Sequence, residues 1–227
     1  MKKLTYVHIG KCGGTTIQLC VKESPIIREK YGSASVVHTV SPGYSPNHDY
    51  LISIRNPIKR LVSAFNWRYK RVVIDSEAGD LRERNMVPNE YEILKKYGTP
   101  NAIAEKMYVD GVLDRKVYSE LFTIAHIYNG IPTHMTSFID KVEPDCIFGV
   151  ITQENLNEDC ERVLGVVNNK HTKSNSPKSN VNLSEIAIEN LHRVLNDDYS
   201  CIEKLNALGA LTERQYTDLL TDPSANI

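Results

Sequence analysis

The sequence predicts an α/β fold of three layers, with helices on both sides of a central parallel sheet. Short β-branched apolar runs alternate with segments whose apolar residues recur at helical spacing, the pattern of βαβ units. The first such run, Thr5–Ile9, stops at a glycine-rich turn, and a helical segment follows at once. The composition, 41% hydrophobic and 24% charged over 227 residues, suits one domain with a substantial core.

Taken in order, Thr5–Ile9 reads as the first strand, Gly10 to Gly14 as a strand-to-helix turn, and Thr15–Glu23 as a helix closed by Ser24-Pro25. Ser35–Val40 is a second strand, ended by Ser41-Pro42-Gly43, and Tyr50–Ile54 a third. Asn56 suits an N-cap and Pro57 a first helical residue. Ile58, Leu61, Val62, Phe65, Tyr69 and Val72 then mark a long amphipathic helix. Residues 75–140 are expected to form a helical insertion, broken at Gly98-Thr99-Pro100, with one amphipathic helix over Val117 to Tyr128. Cys146–Ile151 reads as a further strand and Glu154–Val166 as its helix. Asn168–Asn180 has no apolar residue and is expected to be a loop. Asn182 with Glu185, and Thr212 with Gln215, have the spacing of capping boxes for two last helices. No internal repeat is visible, so residues 1–227 are expected to form a single domain.

Several function classes are excluded. Twelve glycines and ten prolines rule out collagen-like and wholly disordered chains. No apolar run approaches the roughly 20 residues of a membrane span. Two lysines near the start are followed by no signal-like apolar stretch, so a cytoplasmic location is the expectation. Five widely spaced cysteines without a C-x-x-C pair suggest reduced thiols, with neither a disulfide framework nor a metal site. The balance of 27 Lys and Arg against 28 Asp and Glu excludes a nucleic-acid coat. That balance hides an asymmetry. Between Asp49 and Asp75 there is no acidic residue, while Arg55, Lys59, Arg60, Arg68, Lys70 and Arg71 all fall there. Such segregation points to an anionic ligand of modest size.

The turn Gly10-Lys11-Cys12-Gly13-Gly14 between strand and helix is a recipe for holding an anion. Free N–H groups at a helix start converge, and the helix dipole adds positive charge. Gly13 and Gly14 let the backbone curl inward, Thr15 and Thr16 add hydroxyls, and Lys11 adds a full charge. Two glycines after a strand also make an ordinary tight turn, so this motif alone leaves both readings open. The G-x-x-x-x-G-K-[ST] phosphate loop is not matched. An ATPase would hold Mg²⁺ through an acid ending a later strand. The strand Tyr50–Ile54 ends instead in Arg55, a planar fork suited to phosphate oxygens. Ser63, two turns into the next helix, can donate to the same anion, or simply pack against a neighbour on a basic face.

Together these two segments resemble the sulfotransferases that use 3′-phosphoadenosine 5′-phosphosulfate (PAPS), in their carbohydrate-type branch, which includes heparan sulfate 2-O-sulfotransferases and bacterial relatives. His8-Ile9-Gly10-Lys11-Cys12-Gly13-Gly14-Thr15-Thr16 fits the family's H-I-x-K-x-G-G-T-[ST] segment, and Arg55 through Ser63 fits R-[DN]-P-x-x-R-x-x-S. A looser likeness runs from Ile151 to Leu156. Gly10 stands where a proline is usual, and Cys12 where a small or hydroxyl residue is. The resemblance implies a P-loop-like turn in which Lys11, Cys12, Gly13, Gly14, Thr15 and Thr16 grip the 5′-phosphosulfate, with Arg55 and Ser63 on the 3′-phosphate. It also implies that Lys173, in the late polar loop, closes over the nucleotide, although that loop also reads as a solvated connector.

The expected function is therefore metal-independent transfer of a sulfuryl group from PAPS to a hydroxyl of a carbohydrate or small metabolite. The expected alternatives are a nucleotide or metabolite kinase and a PAPS-binding module without catalysis. Lys11 is the candidate to stabilise charge on the departing oxygen. His38, between the two motifs, is the candidate base, as relatives imply. His48 is second, and Glu90 or Glu120 are carboxylate alternatives, while His8 is explained by packing. Trp67 with Arg68, Lys70 and Arg71 forms either an acceptor groove or a plain helix face. Acceptor selection is expected to reside in residues 75–140.

Overall fold

The computed structural model describes residues 2–38, 40–167 and 182–222. In chain order it has β1 (Lys3–His8), α1 (Gly14–Glu23), α2 (Pro25–Tyr31), β2 (Ala34–Val37), β3 (His48–Ile54) and α3 (Pro57–Arg68). A π-helical turn over Tyr69–Ile74 leads into α4 (Asp75–Glu77), α5 (Glu90–Tyr97) and α6 (Pro100–Glu105). Then come the hairpin β4 (Tyr108–Val109) and β5 (Val112–Leu113), α7 (Arg115–Leu121) and α8 (Ile131–Met135). The chain continues with a 3₁₀ turn at Pro144–Cys146, β6 (Ile147–Thr152), α9 (Leu156–Leu164), α10 (Glu185–Val194), α11 (Asn196–Ala207) and α12 (Glu213–Leu220).

The chain forms two compact units. Unit 1 takes in Met1–Pro57, Gly130–Asn175 and Asp197–Thr221, and unit 2 takes in Ile58–Asn129, Ser176–Asn196 and Asp222–Ile227. Unit 1 holds the central sheet, four strands in the order β2-β1-β3-β6, all parallel. Strand alternation sends β3 side chains to opposite faces. Tyr50, Ile52 and Ile54, with Val7 and Val150, pack against Ile131, Met135, Phe138, Ile202 and Leu219 from the α8, α11 and α12 side. Leu51, with Leu4, Tyr6 and Ile151, packs against Ile17, Cys20, Ile27, Cys160 and Leu164 from α1, α2 and α9. Burying both faces explains why these strands are nearly continuous apolar runs.

Unit 2 is helical, with a buried set that includes Leu61, Phe65, Val72, Ile93, Leu94, Ile103, Val117 and Leu191. Arg68, 4% exposed, sits inside it. Its Nε and Nη2 donate to the two Glu90 oxygens at 2.9 and 2.7 Å, and its Nη1 donates to Glu83 at 2.5 Å. Arg71 pairs with Asp75 at 2.6 Å. Arg60, wholly buried, donates to the carbonyls of His126 and Asn129.

Several boundaries differ from expectation for local reasons. Ser24-Pro25 does not only close α1. The Ser24 hydroxyl accepts from the Ile27 N–H at 3.1 Å and so starts α2, with Pro25 as its first residue. The second strand stops at Val37, leaving His38 one residue beyond it. The helix expected through Tyr128 ends at Leu121. Ser184, not Asn182, caps α10, accepting from the Ala187 N–H. The Thr212–Gln215 capping box forms as expected. The loop expected over Asn168–Asn180 lies outside the described residues. Among the described residues no helix is long and apolar enough to cross a membrane.

Candidate functional site

In a parallel sheet every strand ends at the same edge, and ligands bind just beyond it. The register pairs Val7 with Val37, His8 with Ser53 and Ile54 with Thr152. The residues that follow β1, β2, β3 and β6 therefore meet there: the turn at Lys11, then His38, Arg55, and Gln153 with Glu154.

The turn is shaped by its glycines. Gly13, at φ 79°, is in the left-handed region, and its carbonyl accepts the Ile17 N–H at 3.1 Å to begin α1. A Cβ there would also lie 2.2 Å from Gln153 Oε1. At Gly14 a Cβ would lie 1.5 Å from His8 Nε2, so any side chain would collide with that ring. Lys11 is also left-handed, at φ 70°, an uncommon conformation for a residue with a Cβ.

Arg55 reaches the turn from β3. Its Nη1 donates to the Lys11 carbonyl at 3.3 Å, and its buried Nε has no acceptor among the described residues. Burial first, then the Arg55 charge, lowers the Lys11 ammonium to about 8. Two cations brought together at the start of a helix form a strong local field for an anion. Beside them the Asn56 N–H donates to Glu154 Oε1 at 3.2 Å.

His8 and His38 stack with ring centroids 4.1 Å apart, and His38 Nδ1 lies 3.0 Å from the His8 carbonyl. His38 is exposed, and His8 is half-buried at the last position of β1.

The structure thus brings Lys11, Gly13, Gly14, His38 and Arg55 together in unit 1. Cys12 is wholly buried, in the core cluster that includes Ile54 and Phe138. Thr15 is exposed and Thr16 is 9% exposed. Ser63 is half-buried on α3 in unit 2, and Lys173 lies outside the described residues.

Other candidates are placed elsewhere. His48 opens β3 opposite Lys3, with its Nδ1 2.8 Å from the Thr5 hydroxyl. Six strand steps, about 20 Å, separate it from the end of β3. Glu90 holds Arg68, and Glu120 accepts from Lys96 at 2.6 Å and from Tyr97. Arg68 and Arg71 are engaged with unit 2 carboxylates, which fits the plain helix face better than the acceptor groove of the two readings left open for them. A cleft of about 490 Å³ lined by Asn155, Glu158, Asp159, Arg162, Arg214 and Gln215 is bridged by the Arg214–Glu158 ion pair. The stack of His8 on His38 was beyond reach of sequence reasoning. Its one signal was a glycine pair opposite a strand-end histidine.

The comparisons with known proteins bring no relative to this arrangement: no family model, curated protein or solved structure matches the chain.

Proposed function

We propose that the chain is a PAPS-dependent sulfotransferase acting on a hydroxyl of a carbohydrate or small metabolite, with a P-loop-like turn at residues 10–14 as its phosphosulfate grip. The observation that carries the reading is the Arg55 guanidinium against the Lys11 turn, two cations with a buried Arg55 N–H that has no acceptor among the described residues. An anion with two charged ends would give the buried Arg55 N–H an acceptor.

In this reading the nucleotide supplies the sulfuryl group. Lys11 and the first N–H groups of α1 hold the 5′ end, and Arg55 holds the 3′-phosphate. Lys11 keeps its proton beside the bridging oxygen, where charge grows as the bond breaks. A single positioned donor of this kind contributes roughly 2.7–4 kcal/mol to the transition state. His38 takes the proton of the acceptor hydroxyl. A sulfuryl group carries less charge than a phosphoryl group, so the two cations replace the metal that a kinase needs. Roles for Ser63 and Lys173 rest on the family resemblance alone.

The test is thermal melting with adenosine 3′,5′-bisphosphate in EDTA, set against ATP with Mg²⁺. Bisphosphate at 100 times its dissociation constant should stabilise the fold by about 2.7 kcal/mol, while ATP with Mg²⁺ should do much less. Stabilisation by ATP–Mg²⁺ alone would replace this reading with a kinase. Bisphosphate binding without turnover on any hydroxyl acceptor would leave a binding module.

A further inference from the structure

A neutral histidine ring is a base through one nitrogen, and the hydrogen bond made by the other decides which. His38 Nδ1 lies 3.0 Å from the carbonyl oxygen of His8. A carbonyl only accepts, so this bond forms when Nδ1 carries the proton, and the lone pair of the neutral ring is then on Nε2. The ring that keeps His38 in this pose is His8 itself, stacked against it with 24° between the planes. His8 is held in turn. Tyr6, buried in the sheet, stacks on it at 5.6 Å with 7° between planes. Gln18 on α1 places its Nε2 3.2 Å from His8 Nδ1. Space for the ring exists because residue 14 has no side chain.

We propose that His8 is a positioning residue. Its carbonyl fixes the tautomer of His38, and its ring holds the His38 plane so that Nε2 faces the acceptor. This rests on the reading of His38 as the base. It also gives Gly14 a second role beyond the turn, since that glycine seats the His8 ring.

An exposed histidine past a strand end would otherwise sample both tautomers and several rotamers. The chain Tyr6–His8–His38, braced by Gln18, removes that freedom before the acceptor arrives, which is how a scaffold raises the rate of a proton transfer.

The experiment is ¹⁵N–¹H correlation of histidine-labelled protein, read beside the sulfuryl-transfer rate. In the wild type the neutral His38 ring should carry its proton on Nδ1. His8→Ala keeps the backbone carbonyl but removes the ring that holds His38 against it, so it should mix the tautomers and lower kcat about tenfold or more, with bisphosphate affinity within about twofold. His8→Phe, which puts a flat ring back beside the same carbonyl, should restore the tautomer and recover most of the lost rate. A wild-type His38 protonated on Nε2 overturns the proposal, as does a His8→Ala protein that keeps both tautomer and rate. If His8→Ala does not fold, the wild-type spectrum and His8→Phe decide, and mixed tautomers in His8→Phe overturn it. A wild type that neither binds bisphosphate nor transfers would sink the functional reading instead, while the His38 tautomer still judges the pairing.

Discussion

Lysine is a costly residue at a left-handed turn, because its Cβ crowds the following carbonyl. Lys11 occupies one at φ 70° and is also half-buried beside Arg55. Both features make sense if the ammonium must point into an anion site. They also give it a pH signature. With its value lowered to about 8, Lys11 in the free protein is half-charged near that pH. An anion favours the charged form, so binding raises the value and takes up a proton. Bisphosphate binding at pH 8–9 should therefore absorb part of a proton, measured by calorimetry in two buffers of different ionisation enthalpy. Affinity should fall as pH rises through about 8. Lys11→Met should abolish the uptake, and uptake unchanged in that variant would remove Lys11 from the site. Lys11 and Arg55 were legible as residues because each belongs to a short local pattern at a strand end. Their contact was not, since it depends on β1 and β3 lying side by side.

At the scale of elements, α3 carries the clearest case of an identity readable before its role. The run from Ile58 to Val72 announced a helix, which the structure divides into α3 and a π-helical turn. Its cations suggested a ligand, yet Arg68 is spent on Glu90 and Glu83, supplied by the polar stretch after residue 75. Glu90, fully buried, also accepts the Ala125 N–H at 2.8 Å. Removing one partner of a buried pair leaves the other charge uncompensated, so Glu90→Ala should cost about 3–5 kcal/mol in urea unfolding. Combining it with Arg68→Met should return much of that loss. A loss below about 1 kcal/mol, the level of a surface pair, would mean that the pair is not buried in solution. Helices α2 and α11 escaped sequence reading; α2 has only seven residues, too few turns for a period to emerge.

Across the whole molecule, acid should act on unit 2 through identifiable carboxylates. Hydrogen bonds from Lys95, Arg82 and Ser184 hold Glu77, Asp80 and Glu105 below the usual carboxylate range. Glu120 is also held down, where Lys96 and Tyr97 outweigh the upward push of burial. Groups whose folded values lie under their unfolded ones stabilise the fold at neutral pH. That contribution disappears as pH falls from about 4.3 through the lower folded values. Amide hydrogen exchange in α5, α6 and α7 should therefore quicken as pH falls below about 4.3, after correction for the intrinsic rate. Protection unchanged down to pH 3 would show that these bonds do not form in solution.

The amino-acid sequence by itself marked the four strands of the central sheet, the glycine turn at residues 10–14 and the cation that ends β3. Each of these is written within a few consecutive residues, where backbone freedom and apolar period act. The tertiary structure alone decided which cations carboxylates engage and which histidines meet. Ion pairs and ring stacks join residues tens of positions apart, as Arg68 joins Glu90 and His8 joins His38. Such partners are selected by which strands become neighbours and which helix faces are buried, and no local signal in the chain records that choice.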